Sequence, residues 1–353
     1  MPTDLLRLSD LTPRQVDDIL DLAGQLKRHP YLHTDDLAGE LVILYYTPPA
    51  TRERITFADA AEALGATVAV VGPRELARAD EPRPARLAQM ADTYATMIVA
   101  RTSDDDLLRL AQQTTIPVVN AHSPSHRPCQ ALADLLVLRD SLGGLDARRL
   151  AYIGDPTESR DLIETAAASA MDIRISPAAG IDPEPALTAA RTIADRAGGR
   201  VASVIDPAAA AEDADAIYIN ATTTATIAPI GRAISCYDLA IELLATAATD
   251  AVVLHDPPTH PGQCIAPLLV RHPNAKLRSQ AENRLPSAKA LLLAATDHLA
   301  PRDQTLAHAA GQPADGPAGR CASQRCRDRR PQRPTPDDPT TYPRSPTGRS
   351  NAC

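Results

Sequence analysis

The feature that most narrows the fold of this chain is an alternation of two kinds of segment. Short apolar runs of strand length recur, each followed by a stretch of helical composition. Runs at 41–46, 67–71, 96–100 and 116–120 carry almost no polar alternation, as expected of strands covered on both faces. Between them, 58–64, 104–113 and 131–142 read as helices, the last amphipathic. An opening helix lies within 4–28, where Thr12 caps, Pro13 takes the first helical position, and Val16, Ile19, Leu20 and Leu26 share a stripe. Residues 74–88 are charged and proline-broken and read as a surface loop.

Gly143-Gly144 interrupts the pattern, and a second alternation follows. Strands are expected at 149–155, 172–175, 200–203, 214–219 and 251–255, with helices near 159–170, 184–196 and 286–299. Such alternation gives a mostly parallel sheet with helices on both faces. The predicted class is therefore α/β, with two doubly wound parallel-sheet domains over 1–140 and 141–300. From 301 to 353, Pro, Arg, Asp, Thr and Gly dominate, which predicts a disordered tail.

Length and composition fit this plan. The 353 residues suffice for two domains, and one Phe with no Trp makes the core aliphatic. The net charge of -8 argues against a general nucleic-acid binder. No run is long enough to span a membrane, and the N-terminus lacks a basic and apolar leader. The six Cys lack metal-ligand spacing, so a reduced cytoplasmic protein without metal or cofactor is expected. No G-x-G-x-x-G or G-x-x-x-x-G-K-[ST] fingerprint follows a strand, which weighs against a nucleotide-binding module.

Chemistry concentrates first at 49–57. Pro48 and Pro49 end the 41–46 strand, and a helix follows. Thr51 and Arg52 therefore sit where open backbone N–H groups and the positive helix end suit a phosphate. Arg52 and Arg54 add forked donors.

The run Ala50-Thr51-Arg52-Glu53-Arg54 resembles the Ser-Thr-Arg-Thr-Arg signature of the transcarbamoylase family, its ornithine carbamoyltransferases above all, with Ala for Ser and Glu for Thr. Residues 126–136 (HRPCQALADLL) and 280–285 (QAENRL) also resemble that family, and the likeness extends over about 1–300. The resemblance implies a first domain for carbamoyl phosphate and a second for an amino acceptor. It further implies a cytoplasmic homotrimer of arginine biosynthesis that moves the carbamoyl group to ornithine or a related amine. It assigns Thr51, Arg52 and Arg101 to the phosphate and carbonyl oxygens and Gln130 to the carbamoyl amide, with Glu53, Arg54 and Arg127 completing the donor set. Arg52, Arg101, Gln130 and Asp256 are the expected catalytic groups. Glu158, Asn220, Thr224, Ala225 and Asp256 form the expected acceptor set.

Several positions depart from the family pattern. Arg127 stands at the His of His-Pro-x-Gln, with His126 one place earlier. Glu158 replaces an Asn, Asn220 the Asp that pairs with the ornithine α-amine, Asp256 a Cys, and Pro261 an Arg. The paired change at Asn220 and Glu158, with Asp256, predicts ornithine as a poorer acceptor than for a typical family member, with Glu158 and Asp256 open to the ammonium groups of a diamine or a modified basic amino acid. The alternative is a catalytically impaired relative that binds a phosphate ligand or partner subunits without turnover.

Overall fold

The structure is a computed structural model that describes residues 4–47, 50–76, 83–178, 180–220, 243–256 and 271–296, all within one compact unit, Met1–Arg302. Strands β1 (Leu41–Tyr46), β2 (Thr67–Val71), β3 (Met97–Arg101) and β4 (Val118–Asn120) form a parallel sheet in the order β2-β1-β3-β4. Strands β5 (Arg149–Gly154), β6 (Asp172–Pro177), β7 (Arg200–Ser203), β8 (Ala216–Ile219) and β9 (Val252–His255) form a second, in the order β7-β6-β5-β8-β9. The helices are α1 (Pro13–Arg28), α2 (Thr51–Ala63), α3 (Arg83–Tyr94), α4 (Asp104–Gln113), α5 (Pro128–Leu142), α6 (Arg160–Ala168), α7 (Glu184–Ala197), α8 (Pro207–Ala211) and α9 (Leu277–Ala295).

Both sheets reverse their strand order once, between β1 and β3 and between β5 and β8. At such a point the two crossovers leave in opposite directions and open a crevice beyond the carboxyl ends of the strands. Tyr46 is in register with Arg101 at the first, and Ile153 with Ile219 at the second. Gly154 ends β5 at φ 136°, and a Cβ there would meet the Asn220 Cβ at 2.7 Å, so glycine is what lets the second crevice close so tightly.

Three expectations require correction. The loop over 74–88 is shorter than read, because α3 begins at Arg83. Pro84 lies in its first turn, where no amide is needed, and Leu87, Ala88 and Ala91 bury one stripe. Helix α5 is not amphipathic over most of its length: Pro128 to Leu138 are all buried, because α1, α6 and α9 pack around it. The final helix starts at Leu277, not Pro286, and Pro286 lies inside it. An interior proline costs about 3 kcal/mol. Burial of nearly every residue from Ser287 to Ala295 outweighs that cost.

Helix α9 packs against α1, α2 and α5, and so returns to the first sheet. Residues 297–353, which include the expected tail, lie outside the described residues. No helix among the described residues is long and apolar enough to cross a membrane.

Candidate functional site

On the first sheet, the site starts from the turn after β1. Helix α2 opens at Thr51, and its N-cap, Ala50, supplies no side-chain acceptor. The first amides of α2 therefore lack the usual cap and face the crevice end of the sheet. Thr51 and Arg54 are exposed, while Arg52 is half-buried. Arg101 closes β3 beside it, and Arg284 reaches in from α9, almost fully buried.

Glu53 lies between these cations at 3% exposure. Its carboxylate accepts from Arg52 Nε at 3.2 Å and from Arg101 Nη1 at 3.3 Å. Arg284 Nη2 lies 3.6 Å away and His122 Nδ1 3.8 Å. Burial alone would raise the Glu53 carboxyl, but Arg52, its own backbone N–H and Arg284 together hold it below its ordinary value. Burial and then Arg284 lower Arg52. Burial and then Arg127 push His122 down to about 3, so it is neutral at pH 7.

Gln130, in the first turn of α5, has both ends of its amide engaged. Its oxygen accepts from Arg284 Nη1, and its nitrogen donates to Asp134 at 2.8 Å. Asp134 also accepts from Gln280 Nε2 at 2.8 Å and from the Tyr218 hydroxyl at 3.0 Å. Burial pushes the Asp134 carboxyl up to about 7 against the pull of those three donors.

Arg127 dominates the second half of the site. It sits at the N-cap of α5, with its backbone N–H donating to Asp161 at 2.6 Å. Its guanidinium reaches Asp256 at 2.9 Å and Glu158 at 3.5 Å. Glu158 in turn accepts from Asn220 Nδ2 at 3.2 Å. Burial opposes the charge on Arg127, but Asp256 and Glu158 outweigh it and raise its pKa. Burial, helped by Glu158, raises Asp256 against the pull of Arg127. Among the described residues, Arg127 Nε and Arg284 Nε are buried donors with no acceptor.

The structure thus brings Arg52, Glu53, Arg101, Arg127, Gln130, Glu158, Asn220 and Asp256 together at the carboxyl ends of the strands. Thr51 and Arg54 stand at the exposed rim. Thr224, Ala225 and Pro261 lie outside the described residues. Sequence reasoning missed Arg284, His122 and Asp134. A charged residue in an otherwise apolar stretch was the available signal for Asp134, and Arg284 lies inside the 280–285 run that resembles the family; His122 carried none. Glu158 and Asp256, expected to stand open to two ammonium groups, both face Arg127, Asp256 at 2.9 Å and Glu158 at 3.5 Å, so one guanidinium already balances part of their charge.

The description "Aspartate/ornithine carbamoyltransferase, carbamoyl-P binding domain" matches residues 3–140, and "Aspartate/ornithine carbamoyltransferase, Asp/Orn binding domain" matches 146–295. The chain is similar to the ornithine carbamoyltransferase of Acidothermus cellulolyticus, with 38% identity over 80% of this chain and 93% of the relative. Among solved structures, the ornithine carbamoyltransferase of Gloeobacter violaceus is similar at 32% identity and a TM-score of 0.70, covering 84% of this chain and 98% of that one. That of Pyrococcus furiosus is similar at 28% identity and a TM-score of 0.73, covering 83% and 96%.

Proposed function

The chain belongs to the aspartate/ornithine carbamoyltransferase family and is a transferase of the ornithine carbamoyltransferase type, and we propose that it carbamoylates the δ-amine of ornithine from carbamoyl phosphate. The observation that carries ornithine as acceptor is that, among the described residues, the departures around the acceptor side of the site come in contacting pairs. The negative charge missing at Asn220 returns at Glu158, one hydrogen bond of 3.2 Å away. The Arg at 127 and the Asp at 256 meet at 2.9 Å, so together they add no net charge. An α-ammonium therefore still finds a carboxylate, now Glu158. A site built on such pairing rejects acceptors that leave it unmatched.

In the proposed reaction the α2 amides, Thr51, Arg52 and Arg101 hold the phosphate. Arg127 and Arg284 donate toward the carbamoyl oxygen, and Gln130 orients the amide. The δ-amine nitrogen bonds to the carbamoyl carbon, the carbon–oxygen bond to phosphate breaks, and phosphate leaves with that electron pair. Asp256 takes the amine proton. Fixed donors around the developing oxyanion supply much of the rate enhancement, and holding both substrates supplies much of the rest. Glu53, once ionised, only accepts hydrogen bonds, so it is a counter-ion of the arginines rather than a phosphate donor.

The same reading takes residues 1–140 for the donor and 141–300 for the acceptor, with a cytoplasmic homotrimer serving arginine biosynthesis. It is tested by ureido-product formation from carbamoyl phosphate with ornithine, putrescine, lysine and acetylated ornithine. Ornithine should lead in kcat/KM by more than about tenfold, or roughly 1.4 kcal/mol of transition-state preference. Another amine in the lead would overturn the choice of acceptor.

A further inference from the structure

We propose that Glu53 is a resident anion of the phosphate pocket, competing with the phosphate group of the donor for the same guanidinium groups and so setting the donor affinity of the site. The inference rests on the donor reading of this pocket, and goes beyond it by naming what occupies the pocket when no donor is bound.

The carboxylate is held by devices that suit a phosphate. It sits in the first turn of α2, where the helix end favours negative charge. It accepts from Arg52 Nε and Arg101 Nη1, and Arg284 Nη2 lies 3.6 Å off. Its own backbone N–H adds a further stabilising contact. At 3% exposure it is screened little by water. An ionised carboxylate and a phosphate cannot both accept from one N–H without bringing like charges into contact. A phosphate entering this turn must therefore draw the arginines away from Glu53 or bind against its charge.

The arrangement also neutralises the pocket when no ligand is bound. Arg52, Arg101 and Arg284 are three guanidinium groups around one carboxylate, and Arg284 already disfavours the charge on Arg52. Without Glu53 that repulsion would stand until an anion arrived. The family signature carries Thr here, which has a hydroxyl and no charge. The Glu exchanges affinity for the dianion against a pocket that is neutralised in advance.

The test compares the full chain with Glu53→Thr and Glu53→Gln, using inorganic phosphate by titration calorimetry and carbamoyl phosphate in the ureido assay. Glu53→Thr should bind phosphate at least tenfold more tightly, and KM for carbamoyl phosphate should fall by a similar factor while kcat changes less. Folded variants that bind phosphate within threefold of wild type, or more weakly, overturn the proposal. If both variants unfold, recovery of the circular-dichroism spectrum in excess phosphate supports it, and failure to recover makes Glu53 a structural counter-ion and overturns it. Tighter phosphate binding with no ureido product from wild type would leave this inference standing and remove the proposed reaction. Product formation with an unchanged KM in Glu53→Thr would do the reverse.

Discussion

The two halves of the crevice depart from one family pattern in opposite ways. On the acceptor side the changes of charge among the described residues touch one another: Glu158 meets Asn220, and Arg127, at the start of α5, meets Asp256. On the first sheet Glu53 enters a group of arginines, and among the described residues no added cation beside it restores the charge it cancels. A replacement is therefore not conservative or disruptive by itself. Its meaning lies in what the side chain reaches, and residues more than sixty positions apart in sequence can cancel one another across 3 Å.

The largest effect that would break this comparison concerns Arg127. Arg127→Leu leaves Asp256 and Glu158 largely buried beside each other without a cation, which should cost about 3–5 kcal/mol of stability. Urea unfolding of the single variant and of Arg127→Leu with Asp256→Asn checks it. The double variant should recover most of the loss. A single-variant cost below about 1 kcal/mol, the level of an exposed ion pair, would mean the pair is not part of the structure's balance.

A somewhat smaller effect lies where the halves join. Asp134 takes hydrogen bonds from Gln130 on one side and from Tyr218 and Gln280 on the other. Its carboxyl is pushed from 3.8 up to about 7 in the folded protein. The folded state thus holds this proton more tightly than the unfolded chain does. The stability it contributes is complete below about pH 4 and is lost as pH rises toward 7. Relative to Asp134→Asn, wild type should lose roughly 3–4 kcal/mol over that window. Parallel stability–pH curves for the two proteins would show that Asp134 titrates normally.

Much of the fold was legible because it rests on local signals. The apolar runs at β1, β2 and β3 declare strands, and Thr12-Pro13 declares a helix start that the structure completes with Gln15. The strand, the prolines and the arginines marked the turn after β1 as a strand-to-helix turn, and the structure opens α2 there at Thr51. Tertiary burial hid the rest. Pro286 looks like a helix start because propensity forbids it an interior position, and packing overrides that. The sequence also placed Glu158, Asn220 and Asp256 in the site without the Arg127 contacts that hold two of them. Whether a carboxylate awaits a substrate or already faces Arg127 depends on a contact between elements 129 positions apart, which no local pattern encodes.

The central claim, that the negative charge for the acceptor has moved from 220 to 158 and has not been lost, is tested most directly by moving it back. Glu158→Asn alone should lower kcat/KM for ornithine by roughly thirtyfold, about 2 kcal/mol for a charge-assisted contact. Adding Asn220→Asp to that variant should return it to within about threefold of wild type, since the pair couples through direct contact. An unaffected single variant, or a double variant as poor as the single, would contradict the claim.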